Sequence, residues 1–570
     1  MAMGSGATET KLYDIWAPIL NFKKEITALN RPFEEFNWVP DEHIRRLKAY
    51  EILASFYMNY SRDYRMAPET GSTSQNDNLF EMGDPAWLCN RIKAKLLGDK
   101  LTIQVPGPKS LRQIKSLTME LKTTPDAQKQ ALLEELLAVK SKVLEREAWF
   151  QDWFDENDIM LAIDKAEQKC SYLGDCVYLP EWNEKEGIPD LKSYDPGFVF
   201  PYYELNEPSL ETDTEDNPVE GTVKERWVIA WQEANGDSDD SYLLWRDIYE
   251  LRKYPNGDLK CWRQYGYYQY SSASGGEKDV LSYGSSELVE GSGSNWTDLG
   301  LEFIPLEWIP NVEIEGEYYG LSNLHFLIDL FDAIINTYTD MKSNAELLGG
   351  ASVFGSGKNL TLRKDSTTGE PVDIQIMPNT FYNLGEGGDA VILDTSKMQE
   401  ALKQTGDVLE KKMLRNSNIT EVGAGLTQED EISGIALKIL SQPLMDMILP
   451  MRRMRKRRYS KLFYKVQRLV QIYGIPEDKK LFGANPDDLY DAVPGFGNII
   501  PTDNVAKLEE YRGLVELFGR ETALEMIKEE GIYDFDIETV LVRVSEEQKA
   551  KTAAELDAFG IRTAAEQGQV

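Results

Sequence analysis

The sequence predicts an α+β fold in which helices and strands are gathered into separate stretches of chain. Three observations carry this. Apolar residues recur with a period near 3.6 at Leu324, Leu327, Ile328, Phe331, Ile334, Ile335, Tyr338 and Met341. From 171 to 310 the pattern turns to strands, with tyrosine- and tryptophan-rich runs and an Asn256-Gly257 turn. A short β-rich stretch, 351–398, separates two helical runs and is bounded by Gly349-Gly350.

Composition bounds the function. With 570 residues, 42% of them hydrophobic and 11% aromatic, the chain can bury one large core or several and is not disordered. Its 62 basic and 96 acidic side chains leave a net charge of −34, the wrong sign for coating nucleic acid by bulk attraction. Four cysteines (Cys89, Cys170, Cys176, Cys261) and two histidines (His43, His325) form no zinc spacing, so no metal or cofactor is expected. Free thiols fit a reducing cytoplasm. No apolar run approaches 18 residues and no secretory signal is evident, so no membrane partner is expected.

In chain order, Met1–Thr10 is small and polar and begins an arm that reaches residue 40. Residues 41–64 read as a helix through Ile44, Leu47, Tyr50, Ile52, Leu53 and Tyr57, and 66–80 as a polar loop. Trp87–Leu97 reads as a short helix and Leu101–Val105 as a strand. A broken helical stretch runs from Thr124 to about Cys170, its face of Leu132, Leu133, Leu136, Leu137, Val143 and Leu144 suited to core packing or, less well, to a coiled-coil partner. Trp227–Trp231, Tyr242–Trp245 and Cys261–Tyr270 read as strands, the last two joined through Tyr254–Asp258. Acidic Glu204–Glu220 and Gly/Ser-rich Ser271–Ser294 read as exposed, mobile linkers.

The chain is organised around residues 320–476. Ser322 or Asn323 can cap a first helix that ends at Gly349. The insert follows, with strands at Leu360–Leu362, Val372–Ile376 and Ala390–Leu393. A second helix spans Gln399–Arg415 and carries Leu402, Val408, Leu409 and Met413. Gly423-Ala424-Gly425 breaks the chain, and Thr427–Asp430 starts a helix that runs to Tyr473 with expected kinks at Pro443 and Pro450, roughly 65 Å of helix. Residues 476–500 form a Pro/Gly-rich connection, Val505–Phe518 and Glu521–Lys528 a helical pair, Asp534–Val544 a short element, and 546–570 a peripheral tail.

Several sites are excluded on residue chemistry. Gly355-Ser356-Gly357-Lys358 lacks the earlier glycine of a phosphate loop (Ser352 stands there) and the following Ser or Thr (Asn359 stands there), so no ATPase is expected. An acidic run from Asp213 meets Pro218 and Lys224 where a calcium loop needs glycine and glutamate. With two histidines there is little material for a triad, and no carboxylate pair is singled out, so no enzyme and no catalytic residue is expected. Arg452, Arg453, Arg455, Lys456, Arg457 and Arg458 form a basic collar on the long helix, open to acids of a neighbouring subunit or to DNA phosphates. Lys358, Arg363 and Lys364 in the insert are candidates for docking a partner.

This order of parts resembles the bacteriophage portal protein family, the head-to-tail connectors, over roughly residues 45–545. The resemblance is carried by Tyr172–Tyr178, by Tyr194-Asp195-Pro196-Gly197-Phe198-Val199-Phe200-Pro201, by Ile309-Pro310-Asn311 before Gly320-Leu321-Ser322, and by Ser433–Leu437. It implies a portal fold with an N-terminal arm (1–40), an α/β wing (41–319, with linkers 204–220 and 271–294), stem helix 1 (320–348), a β-rich clip (349–398), stem helix 2 (399–415), a tunnel loop (416–428), a long wing helix (429–475), and a wing return with a helical crown and tail (476–570). The resemblance also implies a dodecameric ring at one capsid vertex of a virion, assembled in a bacterial cytoplasm, through which the genome is packaged and ejected. Its partners would be double-stranded DNA, the terminase large subunit, the major capsid protein, scaffold protein and a head-completion adaptor or tail. Asn416, Asn418, Thr420, Glu421, Gly423, Gly425, Thr427 and Gln428 would then face DNA, with only acidic charge. The rival readings are another virion protein from tail or baseplate, and a carboxylate-based hydrolase.

Overall fold

The computed structural model describes residues 14–20, 39, 41–60, 82–98, 101–105, 117–118, 121, 127–208, 221–234, 241–271, 296–348, 353–356, 381–382, 389–392, 396–420, 439–497, 499, 511–517, 519 and 522–524. Mixed helix and sheet, as expected, are segregated along the chain. Helices α1 (Asp41–Tyr57) and α2 (Asp84–Leu97) lead to strand β1 (Leu101–Gln104). The helical stretch that follows is two helices, α3 (Ala127–Glu156) and α4 (Ile159–Leu173), parted where Asp158 takes φ 50°.

The β region is built as two sheets. Strands β2 (Asp175–Asn183), β3 (Ile188–Tyr194) and β10 (Glu307–Pro310) form one, in the order β10-β2-β3. The other runs β4-β6-β7-β8-β9, with β4 at Val199–Tyr202, β6 at Thr222–Ala234, β7 at Ser241–Lys253, β8 at Leu259–Ser271 and β9 at Thr297–Asp298. The Asn256-Gly257 turn joins β7 to β8 as expected, with Gly257 at φ 91°. One expectation fails here: part of the acidic linker is ordered, since β5 (Glu207–Pro208) pairs with β6. Residues 209–220 and 272–295 lie outside the described residues.

The first helix of the 320–476 stretch begins late. Helix α5 spans Ile328–Leu348, not 320–348, because the polar groups that were expected to cap it are engaged elsewhere. Ser322 Oγ donates to Tyr172 O (2.7 Å) and accepts from Leu324 N (3.0 Å), while Asn323 N donates to Ser171 O (3.0 Å). Residues 323–327 are thereby held as turns at the end of α4. In the insert, β11 (Val353–Ser356), β12 (Phe381–Tyr382) and β13 (Asp389–Ile392) make a three-stranded sheet. The strands expected at 360–362 and 372–376 lie outside the described residues.

Helix α6 (Ser396–Asn416) packs antiparallel on α5, with Gly406 and Glu410 against Tyr338, and Met413 and Leu414 in the cluster that holds Ile328 and Phe331. The long helix α7 is described over Gln442–Tyr473, 32 residues and about 48 Å. Residues 429–438 of the expected helix lie outside the described residues. Pro450 is inside α7 as expected, and Pro443 sits in its first turn, just after Ser441 breaks the helical residues 439–440 from α7, so the chain is interrupted there as well. Leu444, Ile448 and Met451 bury into a core with α1, α2, α5 and α6; Tyr459, Leu462, Phe463, Val466 and Val470 bury into a second core with α3, α4, β1 and β2. Helix α8 (Pro476–Phe482) and β14 (Val493–Phe496) occupy the Pro/Gly-rich connection, and β14 pairs antiparallel with β1.

The leucine face of α3 is the clearest departure. Core packing was expected, but Leu132, Leu137 and Leu144 are 47%, 45% and 50% exposed, and burial on this helix is confined to Arg146, Phe150, Trp153 and Phe154. The aromatic end alone meets the second core; the leucine end extends beyond it.

Candidate functional site

Three features converge on the joint between sheet β10-β2-β3, the turns before α5 and the long helix α7. The first is a close backbone crossing. A Cβ on Gly320 would meet Gly174 O at 2.4 Å and Asn311 N at 2.7 Å, and Gly174 itself sits at φ 102°. Only glycine fits at either position. Beside the crossing, Asp175 is fully buried and accepts from Tyr50 Oη (2.6 Å), Trp308 Nε1 (2.8 Å) and Gly320 N (2.9 Å). Burial pushes its carboxyl up to about 6, against the pull of those three hydrogen bonds and of Arg46.

The second feature is Arg455. Sequence placed it in an exposed collar for neighbouring subunits or DNA; the structure buries it completely inside its own chain. All five of its donors are satisfied. Nε and Nη2 grip the Glu167 carboxylate (each 2.9 Å), Nη1 donates to Pro310 O (2.8 Å) and Asn311 O (2.7 Å), and Nη2 also reaches Asn311 Oδ1 (3.0 Å). Tyr459 Oη donates to the same carboxylate at 2.6 Å. Burial alone would lower the Arg455 pKa; Cys170 and Glu167 outweigh it and raise it. Arg452 is likewise engaged internally, donating to Lys95 O, Leu96 O and Gly497 O, where it caps the C-terminus of α2. Arg458 pairs with Glu313 (3.1 Å) and Glu307 (3.9 Å). Positions 452, 455 and 458 therefore point inward. The sequence held the signal: Arg455 falls on the buried period Leu444, Ile448, Met451, Tyr459, Leu462.

The third feature is the outward remainder of the run. Arg453, Lys456 and Arg457 continue along the same helix face into Ser460, Lys461, Tyr464 and Lys465, lining an open groove of about 640 Å³ walled by Phe303, Asp491 and Val493. Lys465 is paired with Glu307 (2.7 Å) and Arg457 lies 3.6 Å from Glu313. Among the described residues, Arg453, Lys456 and Lys461 have no ion-pair partner. Sequence reading missed Lys461 and Lys465, though the i, i+4 continuation from Arg457 was there to be read.

The expected tunnel loop is described only at its start. Asn416 closes α6, Asn418 takes the left-handed φ 56°, and Ile419 N donates to Leu414 O (3.1 Å) with its side chain buried. The chain thus leaves the helical path at Asn418. Asn418 also lines a 500 Å³ pocket with Ile439, Gln442, Pro443, Asp446 and Met447, so the chain leaves α6 and returns to α7 at one place. Thr420 is half-buried; Glu421, Gly423, Gly425, Thr427 and Gln428 lie outside the described residues, as do Lys358, Arg363 and Lys364.

No cluster of three or more metal-ligating side chains, and no helix long and apolar enough to cross a membrane, occurs among the described residues. Both histidines are buried with lowered pKa values, His43 by burial and by Arg46, His325 by burial to about 4. All four cysteines are free and buried.

No known family's sequence profile matches the chain, and no curated protein matches it. Among solved structures it is similar to a chain in the neck of an empty gene transfer agent particle computed with C6 symmetry, at a TM-score of 0.34 and 10% identity, covering 85% of this chain and 90% of that one. It is also similar to a chain in the virion of a native gene transfer agent particle, at a TM-score of 0.30 and 10% identity, covering 88% and 94%.

Proposed function

We propose that this chain is a virion protein of the portal type: one subunit of a ring, a dodecamer by resemblance, that forms the DNA channel at a capsid vertex. In this reading the genome passes through during packaging and ejection. The ring docks the terminase large subunit on one side, the head-completion adaptor or tail on the other, and sits in a shell of major capsid protein assembled with scaffold. It performs no catalysis and uses no cofactor; its work is geometry and a channel surface.

One observation carries the reading. An antiparallel helix pair, α5 and α6, is bridged by the small β11–β13 sheet and leads through a loop closed at its base into a 32-residue helix that serves two cores. Stem, clip, tunnel loop and wing helix would follow one another in this order. A repulsive acidic surface, from a net charge of −34, suits passage of DNA better than capture. The test is light scattering after size exclusion, followed by electron micrographs. A closed ring of about a dozen chains is expected. A monomer under all salt conditions overturns the reading, and a trimer or hexamer favours a tail component.

A further inference from the structure

We infer that the groove on α7 between Phe303 and Val493 is a subunit–subunit contact, occupied by an extended acidic segment on the surface of a second copy of this chain. The inference rests on the ring reading and names one of its contacts. The lining comes from one helix face at i, i+3, i+4, i+7, i+8, i+11 and i+12, so its cations form a straight track. That track already shows what it binds: where acids of the same chain reach it, carboxylates are the partners, Glu313 for Arg457 and Glu307 for Lys465.

Arg453, Lys456 and Lys461 are the part of the track that has no such partner among the described residues. They span about 12 Å of helix rise, which an extended segment with carboxylates at alternate positions, about 6.6 Å apart, matches. The walls are Phe303, Val493 and the ring of Tyr464, so the occupant has apolar as well as acidic contacts to make. Asp491 in the lining and the apolar walls Phe303 and Val493 disfavour a duplex, whose phosphates alone would face the groove. A second copy is the favoured source because each chain carries 96 acidic against 62 basic side chains. A head-to-tail ring sets the same groove against the same neighbouring surface at every step.

The full-length chain with Arg453→Glu, Lys456→Glu and Lys461→Glu tests this, with circular dichroism as the check on folding. Assembly is followed by light scattering against concentration and salt. In parallel, rings mixed from isotopically light and heavy chains are treated with a zero-length carboxyl-to-amine cross-linker and read by mass spectrometry. The expected results are an assembly midpoint raised about tenfold or more in the variant, and mixed light–heavy links from Lys456 or Lys461 to an Asp or Glu. Arg453→Lys should assemble as the parent does. An unchanged midpoint with links only inside single chains overturns the inference and leaves the ring standing. An intact variant ring that has lost affinity for duplex DNA also overturns it and assigns the groove to nucleic acid. A parent chain that never assembles removes the ring reading, and this contact with it.

Discussion

Arg455 and Glu167 form a buried pair whose value lies in being complete. Two opposite charges with fully buried side chains are costly to desolvate, and their attraction offsets that cost only because every guanidinium donor is used. Arg455→Ala should therefore destabilise the chain by about 3–5 kcal/mol, since it strands the Glu167 carboxylate. Arg455→Met combined with Glu167→Leu should cost clearly less, and urea unfolding of the two variants compares them directly. Asp175 makes a prediction of opposite kind. Its folded pKa is raised to about 6, so the folded state binds a proton that the unfolded chain releases. Its contribution is fully present below about pH 4 and lost as the pH rises through 6. The parent should lose up to about 3 kcal/mol relative to Asp175→Asn between pH 4 and pH 7.5, which thermal melts at the two pH values will read. A pH-independent difference would show that Asp175 stays ionised throughout.

Among the elements, the crossing of Gly174 and Gly320 decides how the chain passes from sheet β10-β2-β3 toward α5. Gly320→Ala puts a methyl group 2.4 Å from a carbonyl oxygen, with backbone on both sides and no flexible side chain to yield. A loss of more than about 2 kcal/mol is expected. Gly316→Ala, at φ 80° in open space, should cost only about 1 kcal/mol of local strain, so the pair of variants separates crowding from conformation. Much of this level could be read from periodicity alone. The helices expected at 41–64, 320–348, 399–415 and 429–473 are found, described over 41–57, 328–348, 396–416 and 442–473, and the hairpin at Asn256-Gly257 follows from turn chemistry. What could not be read was tertiary choice. Ser322 and Asn323 look like a helix cap, yet bind the end of α4; Leu132, Leu137 and Leu144 look like core, yet stand exposed. At the site, a run of six cations is one word in sequence, and the fold divides it between a buried anchor, a helix cap and a groove.

For the whole molecule, the meeting of Asn418 with Gln442 at one pocket separates the loop's length from the stability of what it joins. On the portal reading proposed above, deleting Val422–Leu426 should leave ring mass unchanged while impairing DNA packaging or retention in a complemented infection; normal packaging with an intact ring would reject that role for the loop. The pairing of β1 with β14 has a different reach. Leu101 lies beside Phe496, so the first strand of the body waits for a partner made almost four hundred residues later. At ordinary rates of translation that interval is about 20–80 s. During it the edge of β1 and the second core stay open on the ribosome, and a neighbouring nascent chain offers the same unpaired edges. The second core is therefore completed only when the chain is almost finished, and on the ring reading proposed above, subunit joining would follow that closure.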